Sequence, residues 1–278
     1  MIDAPRILDL RETTNHPISL RYSEIFSAAL LTGFFSHGRS QPGVCLAENA
    51  PFVETAKVGL AYGLSKEGAL EKMRAYLRQY YETVTPSNAA EWLGISEDSK
   101  LAKFPPWGAV FPWRARTIES YQQAFENAAM EENKAVGRDV GISDGWLFCG
   151  PVSNEKIEIE AERLLYVLRR IEKSGYQRSD EIDGDVKATA LVGENSEWRW
   201  LITAGNHRAS AAAALGMKSI PVRVNLVISR CDAAYWKHVV DGVFSQAAAV
   251  DVFDNYFNAT PPKVLAPWLD RNLKIDNR

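Results

Sequence analysis

The sequence predicts an α+β fold: a small mixed sheet-and-helix core embedded in a largely helical chain. Three observations carry that expectation. Apolar residues recur at three- and four-residue steps through one long stretch of the first half, which reads as mostly helical. Between 150 and 229 the pattern changes to helix, strand, strand, helix, strand, with very short connections. After 230 the helical spacing returns. Apart from a short alanine run there is no low-complexity segment, and no repeat of fixed period occurs.

In the first half, Ala69, Leu70, Met73, Tyr76, Leu77, Tyr80, Tyr81 and Val84 share one helical stripe. Ser65 is placed to cap its start, and Pro86 lies just past its end. A second helix is expected in "TIESYQQAFENAAMEENKAV". Between the two, "KFPPWGAVFPWR" holds three prolines and two tryptophans, which rules out a long regular element and predicts an ordered aromatic loop. Glycines and turn residues in "GRDVGISDGWLFCGPVS" mark a boundary. Three regions follow: 1–145, mostly helical; 146–230, the mixed module; and 231–278, a helical extension that packs on the core through Trp268 and Leu269.

Within the module, "NEKIEIEAERLLYVLRRIEKSGY" gives an amphipathic helix with Leu164, Leu165, Leu168 and Ile171 on one side and a stop at Gly175. The strands "VKATALV" and "EWRWLIT" are joined by "GENS". An alanine-rich helix then runs to Leu215 and Gly216, and the strand "SIPVRVNLVI" closes the module.

Composition bounds the function. The chain has 278 residues, 46% hydrophobic and 24% charged, with a formal net charge of −3. Between 150 and 230 there are 12 Lys and Arg against 11 Asp and Glu. Neither balance provides the electrostatic footprint of a duplex binder, so DNA is not an expected partner. Cys45, Cys149 and Cys231 are far apart and form neither a disulfide framework nor a metal-binding spacing. With no signal-peptide core, and with an early apolar run "IFSAALLTGFF" too short to span a bilayer, a cytoplasmic protein without membrane insertion is expected.

The most informative stretch is "ITAGNHRASAAAALG". A strand that ends in a glycine turn and opens a helix gathers unpaired backbone N–H groups and a positive dipole end, which suits phosphate. Gly205 permits close approach, Asn206 can cap the helix or reach a ligand, His207 can donate or move a proton, and Arg208 offers a fork of donors. The competing reading is a capped, solvated first turn. Against it, an arginine at a helix N-terminus is electrostatically unfavourable.

"WLITAGNHRASAAAALGMKSIPVRV", with the helix and strands before it, resembles the ParB/sulfiredoxin superfamily over roughly residues 150–228. The resemblance implies a nucleotide-handling fold in which ATP, ADP or CTP, with Mg²⁺, is held by its phosphates. By position, Gly205, Asn206, His207 and Arg208 are the phosphate turn, with Thr203 at the strand end. It further implies a phosphotransferase or nucleotide hydrolase acting on a small-molecule substrate. The alternative within the superfamily is a nucleotide-gated module that binds DNA or protein. Two departures matter. Asn206 stands where sulfiredoxins carry their catalytic cysteine and where partition proteins carry an acid. The serine-kinase branch places a catalytic acid near the start of the domain, where this chain offers Glu155, Glu158, Glu160 and Glu162. Glu158 is carried forward, with His207, as the catalytic pair, although spacing does not choose among the four and a solvated acidic helix start competes for each. No residue is assigned to metal.

Other candidates are weaker. Trp113 and Arg114, in "FPWRAR" with Arg116, read either as lining a substrate pocket or stacking on a base, or as structural packing with a snorkelling arginine. "SNAAEWLGISEDSKL" echoes half a helix-turn-helix but leaves too little chain for a recognition helix. His37 and Arg39 in "HGRSQPG" read as a surface turn, and His238 as structural.

Overall fold

The structure is a computed structural model and describes residues 6–64, 66–134, 137–179 and 184–275. Ser65, the expected cap, lies outside them. In chain order the strands are β1 (Ile7–Asp9), β2 (Ala28–Phe34), β3 (Gly38–Arg39), β4 (Val186–Val192), β5 (Trp198–Ala204) and β6 (Ser219–Ser229). The helices are α1 (Pro51–Ala61), α2 (Lys66–Thr83), α3 (Ala89–Leu93), α4 (Ile118–Lys134), α5 (Asn154–Ser174), α6 (Asn206–Ala214), α7 (Lys237–Val240), α8 (Gln246–Phe257) and α9 (Ala266–Ile275). The α+β expectation holds: about half the chain is helical around one six-stranded mixed sheet ordered β1-β2-β6-β4-β5-β3.

The module from α5 to β6 has the expected element order. Ser153 caps α5 by accepting from the Lys156 N–H at 3.1 Å, and Gly175 ends it at φ +72°. β4 runs antiparallel to β5 and parallel to β6. The alanine helix ends one residue earlier than expected, at Ala214, with Leu215 at its C-cap and Gly216 left-handed beyond it.

The first region is where expectation and structure differ. It was read as mostly helical, yet it supplies β1, β2 and β3. β2 pairs antiparallel with β6 along six residues, and β3 adds to the far edge beside β5. The apolar run at 25–35 is therefore a central strand, with Ala28 to Leu31 all buried. One sheet thus draws strands from both sides of the 146 boundary, and one hydrophobic core continues through all three regions, from Leu10 to Trp268.

Helices α1, α2, α5 and α6 pack on one another, and α6 also lies on β4 and β6. This explains the alanines. Ala209, Ala211 and Ala212 are completely buried. A larger side chain at any of them would push the helix away from its neighbours, because protein interiors hold little free volume. Trp200 sits under the sheet edge, its indole N–H donating to the Phe34 carbonyl at 2.8 Å and its ring against Gly33 and Gly38.

A candidate phosphate turn beside an aromatic cavity

β5 delivers the chain to Gly205, which adopts φ +90° and occupies the N-cap position of α6. Asn206 was the expected cap; it is instead the first helical residue, and the helix start has no side-chain cap. Glycine is required here twice over. The left-handed backbone disfavours any Cβ, and a Cβ would stand 3.2 Å from Val186 Cγ2 and 3.3 Å from Val186 Cα. Gly205→Ala is expected to lower stability by about 1–3 kcal/mol in urea unfolding; a loss below a few tenths would show that the turn tolerates a side chain. The helix's own hydrogen bonding begins with the Ala209 N–H donating to the Gly205 carbonyl. The amides of Asn206, His207 and Arg208 precede that ladder, as at any helix start.

His207 faces away from the strand, towards α1 and α5. Its ring meets Phe52 edge-on at 5.2 Å, and its Nε2 lies 2.7 Å from Glu160 Oε2. The two atoms are in close contact without the angles of an aligned hydrogen bond. Glu160 is almost fully buried, and Lys156 Nζ approaches its other oxygen at 2.8 Å with Arg163 at 3.5 Å. Burial is the largest single influence on this carboxyl and opposes its charge. His207 and Lys156 together outweigh it and hold the carboxyl at about 2, against an ordinary 4.5. Glu160 is thus the acid that meets the turn. Glu158, the acid carried forward from the sequence, points elsewhere: it pairs with Arg74 of α2 at 2.6 Å on a partly exposed face. Residues two positions apart on a helix are separated by roughly 200° about the axis, so the two carboxylates cannot share a face.

Arg208 is held by the protein itself. Its Nη1 donates to the Gly184 carbonyl in the segment leading into β4. Burial raises the pKa of the Tyr176 hydroxyl, and the nearby Arg208 charge partly offsets that. The same segment is clamped by Asp185, whose buried carboxylate meets Arg223 Nη2 at 2.6 Å and Arg178 Nε at 3.3 Å. The arginine that looked anomalous at a helix start thus ties the turn to its neighbouring loop.

Thr203 and Asn206 face a different space. They form part of the floor of a cavity of about 490 Å³, together with Leu201, Ile202, Ser40 and Gln41. Its walls come from far along the chain: Trp92, Phe111, Tyr121, Phe125, Trp146, Phe148 and Tyr256. Arg114 and Arg116 also line it. Among the described residues neither arginine has a carboxylate partner, and Arg114 Nε is buried without a hydrogen bond. Burial pushes the Tyr121 hydroxyl up to about 12, against the opposing pull of Arg114 and Arg116 beside it. Trp113, expected as a substrate contact, packs behind the wall, stacked on Phe111 with ring centres 5.1 Å apart and 7% exposed. Thr203 and Asn206 therefore line the cavity, while His207 and Arg208 serve contacts behind it.

The remaining sequence candidates are structural. Arg39, expected in a surface turn, is instead buried and donates to the carbonyls of Ser36, Gly38, Tyr256 and Phe257. His238 is 2% exposed. α3, in the half helix-turn-helix phrase, has only five residues and buries Ala89, Ala90, Trp92 and Leu93, so it offers no face to a groove. No helix among the described residues is long and apolar enough to cross a membrane.

Comparison with protein-family models, with curated proteins and with solved structures finds no match to this chain.

Proposed function

We propose that the chain is a nucleotide-binding protein of the ParB/sulfiredoxin-like type that transfers or hydrolyses a phosphoryl group on a small molecule. One observation carries this reading: the strand–glycine–helix turn opens onto a cavity large enough for a small organic ligand. Phosphates of ATP, ADP or CTP would sit at the start of α6, on its first amides and the Asn206 side chain. Arg114 and Arg116 would neutralise charge from the cavity side, and the aromatic walls would exclude water. Phosphoryl transfer is governed by positioning and electrostatic stabilisation, so a rigid turn facing two arginines suits it. In this reading His207 is a positioning residue, braced by Glu160, and Arg208 fixes the turn to the β4 loop.

The superfamily resemblance also implies Mg²⁺. The chain's own donor set does not fit it. No acidic residue lines the cavity, and no group of three His, Cys, Asp or Glu among the described residues could hold a metal. The positive charge available at the site is that of the arginines and the helix end.

Asn206→Asp separates binding from folding. An acid in the first turn of a helix suits its dipole, so the unliganded protein should keep or gain thermal stability. The same charge repels phosphate. A nucleotide at a hundredfold its Kd stabilises a folded protein by about 2.7 kcal/mol. That shift is expected with at least one of ATP, ADP and CTP in the wild type and is expected to vanish in Asn206→Asp. No shift with any of the three, or an equal shift in both proteins, overturns the reading.

A further inference from the structure

We infer that the cavity beside the turn holds a planar aromatic acid, a ring system bearing a carboxylate or phosphate, as the small molecule on which the site acts. That the site acts on this molecule rests on the phosphate-turn reading; the class of occupant follows from the lining itself. Two features define it, and each excludes a simpler ligand.

The first is uncompensated positive charge. Arg114 and Arg116 line the cavity with no carboxylate opposite them among the described residues, and Arg114 Nε is buried without a partner. A buried donor left unsatisfied is destabilising, and a guanidinium fork matches carboxylate or phosphate geometry. An occupant without an acceptor would leave that donor stranded, and an anion satisfies it most strongly. Among the described residues no Asp or Glu lines the space to repel an anion.

The second is the wall. Tyr121 and Phe125 meet at 5.0 Å, Phe125 and Trp146 at 5.8 Å, and Trp146 and Trp92 at 5.5 Å, all in T-shaped contacts. Four rings braced edge-to-face make a stiff apolar surface whose geometry is complementary to another ring. A ring-free anion such as acetate would satisfy the arginines and leave this surface wet. The volume of about 490 Å³ leaves room for more than one fused ring. The floor, with Thr203, Asn206 and Ser40, provides hydrogen-bonding groups between the ring site and the turn.

The test is calorimetric titration of the full chain with 2-naphthoate, 2-naphthyl phosphate, 2-naphthol and acetate, with ADP titrated in parallel. Either naphthyl acid is expected to bind at least about tenfold more tightly than 2-naphthol or acetate, the scale of one charge-assisted contact. Arg114→Gln/Arg116→Gln is expected to erase the preference for the acid while leaving 2-naphthol unchanged. Arg116→Gln alone, at an exposed position, should fold normally and lose part of that preference. Naphthol binding as tightly as the acids, or acetate binding as tightly as naphthoate, overturns the inference. If ADP binds and no naphthyl acid does, the aromatic-acid site falls and the phosphate turn stands. If the acids bind with the stated preference and no nucleotide does, the aromatic-acid site stands and the nucleotide reading falls.

Discussion

Glu160→Gln is expected to lower the stability of the protein by about 3–5 kcal/mol in chemical denaturation. The reason is the burial of everything around it. Lys156 has 6% of its side chain exposed and Glu160 1%, so removing the carboxylate leaves an ammonium in the interior with no anion at its 2.8 Å contact. His207 loses its partner in the same step. The double substitution Lys156→Met/Glu160→Leu removes the buried ammonium together with its carboxylate, and is expected to recover part of the loss because the most deeply buried cation goes with its partner. The same carboxyl makes stability depend on pH. Its folded pKa of about 2 lies below the ordinary 4.5, so its contribution is complete above 4.5 and is lost as pH falls through 2. The difference is worth about 3 kcal/mol. Wild type minus Glu160→Gln, measured from pH 5 to pH 2, is expected to shrink by that amount. A flat difference would show that Glu160 is not ionised against His207 and Lys156.

The second large effect is expected at Arg223→Leu. Asp185 has no exposed side-chain surface and is held by Arg223 through Nη2 at 2.6 Å and Nε at 3.2 Å, while the same guanidinium donates to the Ser179 carbonyl at 3.0 Å. Arg178 alone, at 3.3 Å, would remain to face a carboxylate in the interior. A loss of about 3–5 kcal/mol follows for breaking a buried pair from one side. Asp185 adjoins Gly184, the acceptor for Arg208, so the damage should spread into the turn. Amide hydrogen exchange across 184–188 and 205–209 is expected to speed up in the variant. Destabilisation below 1 kcal/mol, with exchange unchanged, would show that the clamp is dispensable.

What could be read from the chain differs by element for physical reasons. α2 and α5 were legible because each buries one stripe and leaves the other face in water, which writes a 3.6-residue period into the sequence. β4, β5 and β6 were legible from their β-branched and aromatic runs between turn residues. β2 was not. Its first four residues, Ala28 to Leu31, are all buried, and an apolar run buried on both faces carries no period to distinguish strand from helix. β1 and β3 have three and two residues and owe their existence to the neighbours they pair with.

The turn at Gly205 was legible because residue types at a strand–helix junction act locally. The partners of its side chains were not, since they are set by packing between distant segments. Glu155, Glu158, Glu160 and Glu162 look alike in sequence. Only the placement of α5 against α6 brings Glu160 to His207 and turns Glu158 to Arg74. Arg208 stands out in the sequence as an arginine at a helix start, yet its acceptor is a carbonyl 24 residues away. The cavity is the least local feature of all. It assembles Ser40, Trp92, Arg114, Phe125, Trp146, Thr203 and Tyr256, which lie on seven separate stretches of chain.

The most direct test of the central proposal is a titration of the isotope-labelled protein with ADP, followed through the backbone amide resonances. Binding of phosphate at the start of α6 predicts that the largest shifts fall on Asn206 and His207, with smaller ones at Thr203 and along the cavity floor, and that Asn206→Asp abolishes them. Saturable shifts centred elsewhere, or none at these amides at millimolar ADP, would contradict it.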